Sequence, residues 1–368
     1  MFAALLIKTD SGGNVLWTRQ FDGAFKDVIE LNDGGLVAVG LSYVNSSGDS
    51  DIILIKTDAL GNTIWTKLIG GNDDEYGNSI YPTADDGFII CGSTYSYGQG
   101  SADIYLIKVD SAGDTLWTRT FGNGYSDFGN DVLVTQDNNI IAIGTTHSYG
   151  AEEVNIYVIK IDDLGNTIWF SAVEGGTINI GNSICDLNDG NYLINGTTLS
   201  SGADYCDGYF VGLNDVGDTI WTQTYGGYEP DEGSDLILSN DGGIFLLGST
   251  ESFGSGGPDM YLLKLSSSET GIYADPKDLL PVVELQATSF PNPFNANVSI
   301  RYTLPEQSIV KIEIYDLLGR CVESFSTGAR EAGEYNLIWN ADDMNSGVYF
   351  YNINAGKSSQ TGKMVLLR

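Results

Sequence analysis

The hydrophobic pattern of the first three quarters of the chain recurs at a nearly constant interval. In the clearest copy, an apolar run at Asp103–Val109 is followed by a polar turn, Asp110–Asp114, and by an alternating run, Thr115–Phe121. A continuous apolar run is typical of a strand covered on both faces, and alternation is typical of a strand with one solvated face. The alternating run carries a tryptophan in every copy, at intervals of 48, 52, 52 and 52 residues: Trp17, Trp65, Trp117, Trp169 and Trp221. A period of this length indicates a repeat architecture.

Each repeat unit is predicted to contain four strands. In the second unit, turns rich in glycine and aspartate separate Gly77–Thr83, Phe88–Thr94, Asp103–Asp110 and Thr115–Phe121. Four short strands in about 50 residues are typical of a β-propeller blade, which favours an all-β propeller over a solenoid of parallel coils. The tryptophan of each outer strand is expected to be largely buried, packing one blade against the next.

The predicted blades leave one unit incomplete. Five units carry four strands, with a weak last strand at Gly271–Tyr273; they span residues 24–69, 76–121, 128–173, 180–225 and 233–273. Residues 3–21 supply only an outer hairpin, and such a half blade has an unpaired edge that proteins normally avoid. Either upstream sequence encodes the inner half of this blade, so that the propeller domain 1–273 is truncated, or the hairpin closes the ring against the last blade.

Charge is unevenly distributed along the chain. The net charge is −32, and residues 280–368 hold only 7 of the 17 basic and 9 of the 49 acidic side chains. The repeat region is therefore strongly acidic, which disfavours nucleic acid and anionic lipid as partners and serves either solubility or cation binding. No apolar run approaches the ~20 residues of a membrane span, and the sequence shows no signal peptide.

Two sets of acidic positions recur in the loops of the repeat. One set, at the entry to the first strand of a unit, comprises Glu75, Asp127, Asn179 and Asp231. Because such loops lie near a propeller axis, these side chains form either a solvated acidic rim or a cation site, with calcium bound by Glu75, Asp127 and Asp231. The second set opens the third strand and is expected to cap the preceding loop: Asp51, Asp103, Asn155, Asp207 and Asp259. The Asp-x-x-Gly-Asp/Asn turn lacks the ligand pattern of an EF-hand, which favours plain turn chemistry over calcium there.

Residues suited to catalysis are few. His147 is the single histidine, which argues against histidine-based triads and multi-histidine metal sites. Acidic pairs for glycoside hydrolysis are available, but none breaks the repeat pattern, so no catalytic residue is predicted and the chain is interpreted as a non-enzyme. The cysteines form no Cys-x-x-Cys motif; Cys185 and Cys206 lie in one unit and either pair or stay free.

The composition changes after Tyr273. Residues 274–287 form a proline-containing linker, and a third segment, 288–368, has short strands at the spacing of a small immunoglobulin-like sandwich. Trp339 is expected to lie in its core. The predicted strands are Val298–Leu304, Val310–Asp316, Cys321–Ser326, Gly333–Trp339, Gly347–Ala355 and Ser358–Leu367.

This third segment also carries six motifs in order. They are Phe290–Asn295, Ile300–Pro305, Ile314–Arg320, Ala332–Tyr335 with Trp339, Ser346–Tyr351 and Lys363–Arg368. Together they resemble the type A C-terminal sorting domain of the type IX secretion system. The positions that carry the resemblance are Asn292, Pro293, Phe294, Asp316, Gly319, Arg320, Gly333, Trp339, Gly347, Tyr349 and Lys363.

The resemblance implies a protein of a Gram-negative bacterium that is secreted or attached to the cell surface. Its implied partners are the type IX translocon and a sortase-like peptidase that removes the domain. Cargo of this kind crosses the inner membrane by a signal peptide, which this sequence lacks. The repeat units themselves are similar to those of bacterial surface propellers. The resulting hypothesis is a surface propeller that binds an extracellular carbohydrate or protein; a polysaccharide-acting enzyme and a structural surface-layer protein are the alternatives.

Overall fold

The described chain is built of strands and divides into two compact units, Met1–Pro276 and Lys277–Arg368. This division falls within the predicted linker, 274–287. No helix that could span a membrane occurs in the described residues. The computed structural model describes residues 3–43, 49–149, 154–199, 205–227, 229–239, 242–253, 257–265, 285–304, 308–330, 333–356 and 358–367.

Each repeat unit of the sequence is one antiparallel sheet whose strands follow one another in chain order. An N-terminal hairpin comes first, with β1 (Ala3–Thr9) and β2 (Val15–Asp22). Repeat sheet 1 contains β3 (Ala24–Glu30), β4 (Leu36–Ser42), β5 (Asp51–Thr57) and β6 (Thr63–Ile69). Repeat sheet 2 contains β7 (Glu75–Pro82), β8 (Phe88–Thr94), β9 (Asp103–Val109) and β10 (Thr115–Phe121). Repeat sheet 3 contains β11 (Asp127–Val134), β12 (Ile140–Thr146), β13 (Asn155–Ile161) and β14 (Thr167–Val173).

The remaining repeat sheets follow the same plan. Repeat sheet 4 contains β15 (Ile178–Asp186), β16 (Tyr192–Leu199), β17 (Asp207–Leu213) and β18 (Thr219–Tyr225). Repeat sheet 5 is described with three strands, β19 (Asp231–Leu238), β20 (Ile244–Thr250) and β21 (Asp259–Leu265). The fourth strand predicted for it, at Gly271–Tyr273, lies outside the described residues.

The turn that closes each outer hairpin is held by its first aspartate. In repeat sheet 2, Asp110 Oδ1 accepts hydrogen bonds from the backbone N–H groups of Ala112 and Asp114, both at 2.9 Å. Gly113 has a φ of 78°, a left-handed conformation that glycine adopts without strain. The first aspartates of the equivalent turns at Asp58 and Asp162 bond in the same way. This is the turn chemistry that the sequence predicts.

The core of the repeat region lies between neighbouring sheets. Every residue of β8 and β9 is buried, because these strands have a sheet on each side. Adjacent residues point to opposite neighbours: Ile90 packs in a cluster with Val39 of repeat sheet 1, and Ile89 in a cluster with Ala142 of repeat sheet 3. The continuous apolar runs of the third strands therefore reflect burial on both faces.

The recurring tryptophans join each sheet to the next. Trp117 Nε1 donates a hydrogen bond to the carbonyl of Asp163 at 3.1 Å, in the turn of repeat sheet 3. Arg119 donates to the carbonyls of Leu164 and Gly165 in the same turn. The predicted packing of sheet against sheet is thus confirmed for Trp117. All five tryptophans occupy equivalent positions and are partly buried, and Trp65, Trp117 and Trp169 pack against the hydrophobic cores between sheets, in agreement with the expectation.

The C-terminal compact unit, Lys277–Arg368, consists of two antiparallel sheets over one core. One sheet has the order β22–β23–β26, with β22 (Gln286–Phe290), β23 (Asn297–Leu304) and β26 (Gly333–Asn340). The other has the order β25–β24–β27–β28, with β24 (Ser308–Asp316), β25 (Cys321–Arg330), β27 (Gly347–Ala355) and β28 (Ser358–Leu366). Trp339 is 1% exposed and lies against Phe294 and Tyr349, with ring centroids 5.7 and 5.2 Å away. The prediction that Trp339 is a core residue is confirmed.

Candidate functional site

The acidic positions at the entry to the first strands are buried inside their own sheets. Glu75, Asp127 and Asn179 are 0% exposed and Asp231 is 3% exposed, so the expectation of a solvated rim is wrong. Each lies opposite a threonine of the neighbouring second strand, and the threonine hydroxyl donates a hydrogen bond to Glu75, Asp127 and Asn179. The pairs are Glu75–Thr94, Asp127–Thr146, Asn179–Thr198 and Asp231–Thr250.

Asp127 shows what these side chains do. Its Oδ1 accepts a hydrogen bond from the Thr146 hydroxyl, and its Oδ2 accepts from Ser148 Oγ at 2.5 Å and from the N–H of Asn123 at 3.0 Å. Thr146 Oγ1 in turn accepts the N–H groups of Ser148 and Tyr149, at 3.0 and 3.3 Å. One buried carboxylate therefore fixes the loop before the first strand to the loop after the second.

The second acidic set meets the first at the junction between sheets. A Cβ atom placed on Gly122 would lie 2.2 Å from Asp103 Oδ1 and 2.5 Å from Asp127 Oδ2, so both carboxyl groups converge on this glycine. Gly226 lies in the same way between Asp207 Oδ1 and Asp231 Oδ2, at 2.8 and 2.5 Å. A residue larger than glycine does not fit at either position. The chain thus places two carboxyl groups, one from each of two sheets, side by side.

These carboxyl pairs are suited to holding a proton. Burial, with the neighbouring Asp127 adding to it, raises the pKa of Asp103 to about 6. Burial and the charge of Asp231 likewise raise the pKa of Asp207 to about 6. No described lysine or arginine forms an ion pair with these four aspartates. Two buried like charges repel each other, so protonation of Asp103 and of Asp207 stabilises the pair to which each belongs.

One junction carries a neutral version of the pair. Asn155 and Asn179 occupy the positions of Asp103 and Asp127, so both carboxyl groups are replaced together. Thr198 donates to Asn179 Oδ1 at 2.7 Å, as Thr146 does to Asp127, and Asn155 Nδ2 donates to the carbonyl of Tyr149 at 2.9 Å. The amide groups of this junction donate to backbone carbonyls, Asn155 to Tyr149 and Asn179 to Gly176, and neither side chain carries a charge.

The structure does not gather the predicted cation ligands into one site. Among the described residues, no three His, Cys, Asp or Glu side chains form a group that could hold a metal ion. Glu75, Asp127 and Asp231 instead bond within three different sheets. A calcium ion held by these carboxylates stays a prediction, which thermal melts with calcium and with chelator would test.

Sequence reasoning missed a row of polar side chains that crosses the first strands of the five repeat sheets, with one residue in each strand. We call this row the polar ladder. Its positions are 52 residues apart and alternate between acid and hydroxyl: Asp27, Ser79, Asp131, Ser183 and Asp235. Asp131 accepts hydrogen bonds from Ser79 Oγ at 2.7 Å and from Ser183 Oγ at 3.0 Å. It also accepts from the N–H of Ile184 at 2.9 Å, and burial raises its pKa. The signal was present in the sequence as an alternation between successive repeat units.

Exposed aromatic side chains cluster at one end of the repeat sheets. We call this the loop end; it is the end at which the first strands begin and the second strands end. The opposite end, where short turns join the first strands to the second, is called the turn end. Tyr95 and Tyr97, in the loop after β8, are 41% and 46% exposed, and Tyr125, in the loop before β11, is 69% exposed. The two loops touch, since Ala102 forms a parallel bridge with Ser126. Sequence reasoning considered only the acids of these loops and missed the tyrosines.

The cysteines and the histidine show no feature of a catalytic centre. All four cysteines are free, so Cys185 and Cys206 do not form a disulfide. Burial raises the pKa of Cys185 to about 12, which keeps it a thiol and a poor nucleophile. His147 Nδ1 lies 2.9 Å from the carbonyl of Ser126, and its ring packs edge-on against Phe128.

In the C-terminal unit, the first sorting motif clamps the last strand. Asn292 Nδ2 donates to the carbonyl of Lys363 at 2.7 Å, and Asn292 Oδ1 accepts from the N–H of Val365 at 2.9 Å. Phe294 adds two backbone hydrogen bonds, to Val365 and Leu367, at 2.9 and 2.8 Å. Pro293 lies between these two anchors. The motifs at the two ends of this segment therefore form one structural element.

The remaining motif residues shape turns and the core. Asp316 Oδ1 accepts from the N–H groups of Leu318 and Arg320, and Asp316 Oδ2 lies 2.6 Å from Arg320 Nη2. These hydrogen bonds lower the pKa of Asp316, and the bond from the backbone N–H of Arg320 has the largest effect. Gly319 has a φ of 76° in the same turn. Gly333 and Gly347 begin β26 and β27, Tyr349 packs on Trp339, and Lys363 is exposed on β28.

Comparison with known proteins identifies the C-terminal unit. Residues 288–367 match the family described as "Secretion system C-terminal sorting domain". This confirms the sorting domain and indicates secretion to the cell surface or the extracellular space. No curated protein matches the chain.

Solved structures resemble the chain only distantly. PorZ, described as a surface component of the type IX secretion system of Porphyromonas gingivalis, is 13% identical, with a TM-score of 0.38, over 95% of this chain. The chain spans 62% of the length of that protein. An endo-arabinase from Bacteroides thetaiotaomicron is 12% identical, with a TM-score of 0.42, over 65% of this chain and 93% of its own. At these values neither likeness assigns an activity to the chain.

Proposed function

We propose, from the premise that the C-terminal unit is a secretion sorting domain, that the repeat region is a surface-exposed β-propeller with a binding function. The strand order within each sheet and the burial of β8 and β9 on both faces support a propeller of four-stranded blades. Its blades are five four-stranded units and an N-terminal half blade. The two sheets of the C-terminal unit form a small immunoglobulin-like sandwich.

The ligand binds at the loop end of the propeller. The observation that carries this proposal is the exposure of Tyr95, Tyr97 and Tyr125 on two touching loops. Tyrosine presents a large amphipathic surface at a small cost in side-chain entropy, which is why it is frequent in binding surfaces. An extracellular carbohydrate or protein is the ligand class that such a surface fits.

Binding rather than catalysis is the function we assign to this end. The buried carboxylates nearest to the tyrosines, Glu75 and Asp127, already accept hydrogen bonds from their own loops. A general acid or base must reach substrate, and these groups point into the sheets. The C-terminal unit then acts as the secretion signal, with the type IX translocon and a sortase-like peptidase as its partners.

A binding screen with matched variants tests the proposal. The full chain is applied to arrays of defined oligosaccharides and of unstructured peptides, and each hit is measured again with the double variant Tyr95→Ala/Tyr125→Ala. We expect the double variant to bind about tenfold more weakly or worse, because truncating aromatic anchors costs about 1.4 kcal/mol or more. Tyr81→Ala is the control, since Tyr81 is 39% exposed near the turn end. Equal binding by the double variant and the wild type would exclude this surface.

A further inference from the structure

Repeat sheet 5 presents an apolar face that its counterparts bury. Met260 and Leu262 of β21 are 80% and 65% exposed, and Phe245 of β20 is 36% exposed. The equivalent residues of repeat sheet 2 are Ile104, Leu106 and Ile89, and each is 0% exposed. Sequence composition does not explain the difference, because both sets are large and apolar.

The same interface occurs four times within the chain. The first strand of each following sheet packs against the first three strands of the sheet before it: β7 on β3, β4 and β5, and likewise β11, β15 and β19. Repeat sheet 5 has the same strand order as the sheets before it. Its exposed face therefore corresponds to the face that each earlier sheet buries against the following one. Its occupant is therefore expected to be the inner hairpin of a repeat unit, with a first and a second strand.

The polar ladder specifies one side chain of that occupant. Asp27 and Asp131 each accept the backbone N–H of an isoleucine in the following sheet, Ile80 and Ile184, at 2.9 Å. In both cases the isoleucine follows a ladder serine. Ladder acids occur only in repeat sheets 1, 3 and 5, so two carboxylates never meet. Like charges at adjacent positions would repel each other in this partly buried row.

Asp235 is the last acid of the ladder. Its Oδ1 accepts from the N–H of Leu236 and lies 2.8 Å from Ser183 Oγ of the preceding sheet. Among the described residues, no following sheet supplies it with the hydroxyl and the N–H group that Asp131 receives. The place next to Asp235 therefore requires a hydroxyl side chain followed by a backbone donor.

We propose that the exposed face of repeat sheet 5 is a docking surface for a β-hairpin that carries serine or threonine, then an aliphatic residue, opposite Asp235. The hairpin has the pattern of the inner hairpins of the even-numbered sheets, such as Glu75–Thr94 with Ser79 and Ile80. It covers Met260, Leu262 and Phe245 and completes the hydrogen bonds of Asp235. This docking surface is separate from the ligand surface at the loop end.

Peptides taken from the chain itself test the proposal. A labelled peptide of residues 75–94 is titrated into the full chain under reducing conditions, and a second peptide carries Ser79→Asp. An isolated hairpin is marginally stable, so the peptide becomes ordered as it binds. We expect the serine peptide to bind and to raise the melting temperature. The aspartate peptide should bind about tenfold more weakly or worse, because it replaces a hydrogen bond to a charged group with a like-charge contact.

Two variants of the chain decide the outcome. Asp235→Asn should restore binding of the aspartate peptide, because the asparagine amide donates a hydrogen bond to the new carboxylate. Met260→Asp should abolish binding of the serine peptide by placing a charge on the apolar face. The proposal is overturned if neither peptide binds the wild type, or if both bind equally. It is also overturned if sedimentation shows a dimer that Met260→Asp dissociates, since a second copy would then occupy the face.

Discussion

At the scale of single residues, the junction carboxyl pairs make stability depend on pH. The pKa of Asp103 and of Asp207 is raised from 3.8 to about 6, so the folded chain holds these protons where the unfolded chain has released them. Their contribution to stability is complete below about pH 4 and is lost as the pH rises through about 6. The Asn155–Asn179 junction, which has no such proton, escapes this loss.

The double variant Asp103→Asn/Asp207→Asn tests this dependence. Each substitution places asparagine at the position of Asn155 and so removes the carboxyl group whose pKa is raised. The melting temperature of the variant relative to the wild type should therefore be higher at about pH 7.5 than at about pH 4.5. About 1 kcal/mol corresponds to roughly 2–4 °C in a domain of 150–250 residues. Thermal melts at both pH values measure the difference. Asp215→Asn, an exposed turn residue, is the control and should show no such difference.

At the scale of elements, the clamp of Asn292 on β28 joins the two ends of the sorting domain. The last strand lies at an edge of its sheet, where β27 is its single partner in the sheet order. Asn292 and Phe294 supply hydrogen bonds on its other side. An edge strand held in this way is protected from pairing with other chains.

Asn292→Ala should release β28 without affecting the repeat sheets. It removes two hydrogen bonds, which together contribute about 1–2 kcal/mol. Hydrogen exchange of the full chain should then show faster exchange at Met364–Leu366 and unchanged exchange in β8 and β9. Asn295→Ala, at an exposed neighbouring position, is the control. Unaltered exchange in β28 would mean that Asn292 does not contribute to holding the strand, which β27 and Phe294 would then hold without it.

At the scale of the whole molecule, the chain separates the repeat region, for which we propose a binding function, from the secretion sorting domain. The chain divides into its two compact units between residues 276 and 277, and most of the acidic side chains belong to the first unit. Each unit has its own hydrophobic core, as expected for regions that fold independently.

Deletion of residues 277–368 should leave the repeat region folded and abolish surface delivery. In a host with the type IX system and with a signal peptide supplied, the shortened chain should accumulate in the periplasm. Cell fractionation measures its location, and circular dichroism verifies the fold. The reciprocal control fuses residues 277–368 to an unrelated periplasmic protein, which should then reach the surface. Surface delivery of the shortened chain would contradict the role of the C-terminal unit.

Local patterns in the sequence were enough to predict most of the strands and their order, but they missed β22, which begins at Gln286 inside the predicted linker 274–287. The strand Thr115–Phe121 and the turn at Asp110–Asp114 occur as predicted, because alternation, glycine and aspartate act through neighbouring residues. The sorting motifs were also readable, since they occur in a fixed order within residues 288–368. Repetition of the pattern showed that one structural unit recurs.

The tertiary structure decided which side chains are exposed and which meet. Glu75 and Asp127 look like surface acids in the sequence, yet both are buried, because threonines and loop amides from other strands surround them. The pairing of Asp103 with Asp127 depends on contact between two sheets, which no single repeat unit contains. The repeating sequence determined the elements of this protein. Contacts between its sheets decided which side chains are buried and which carboxyl groups meet, because those contacts join residues far apart in the chain.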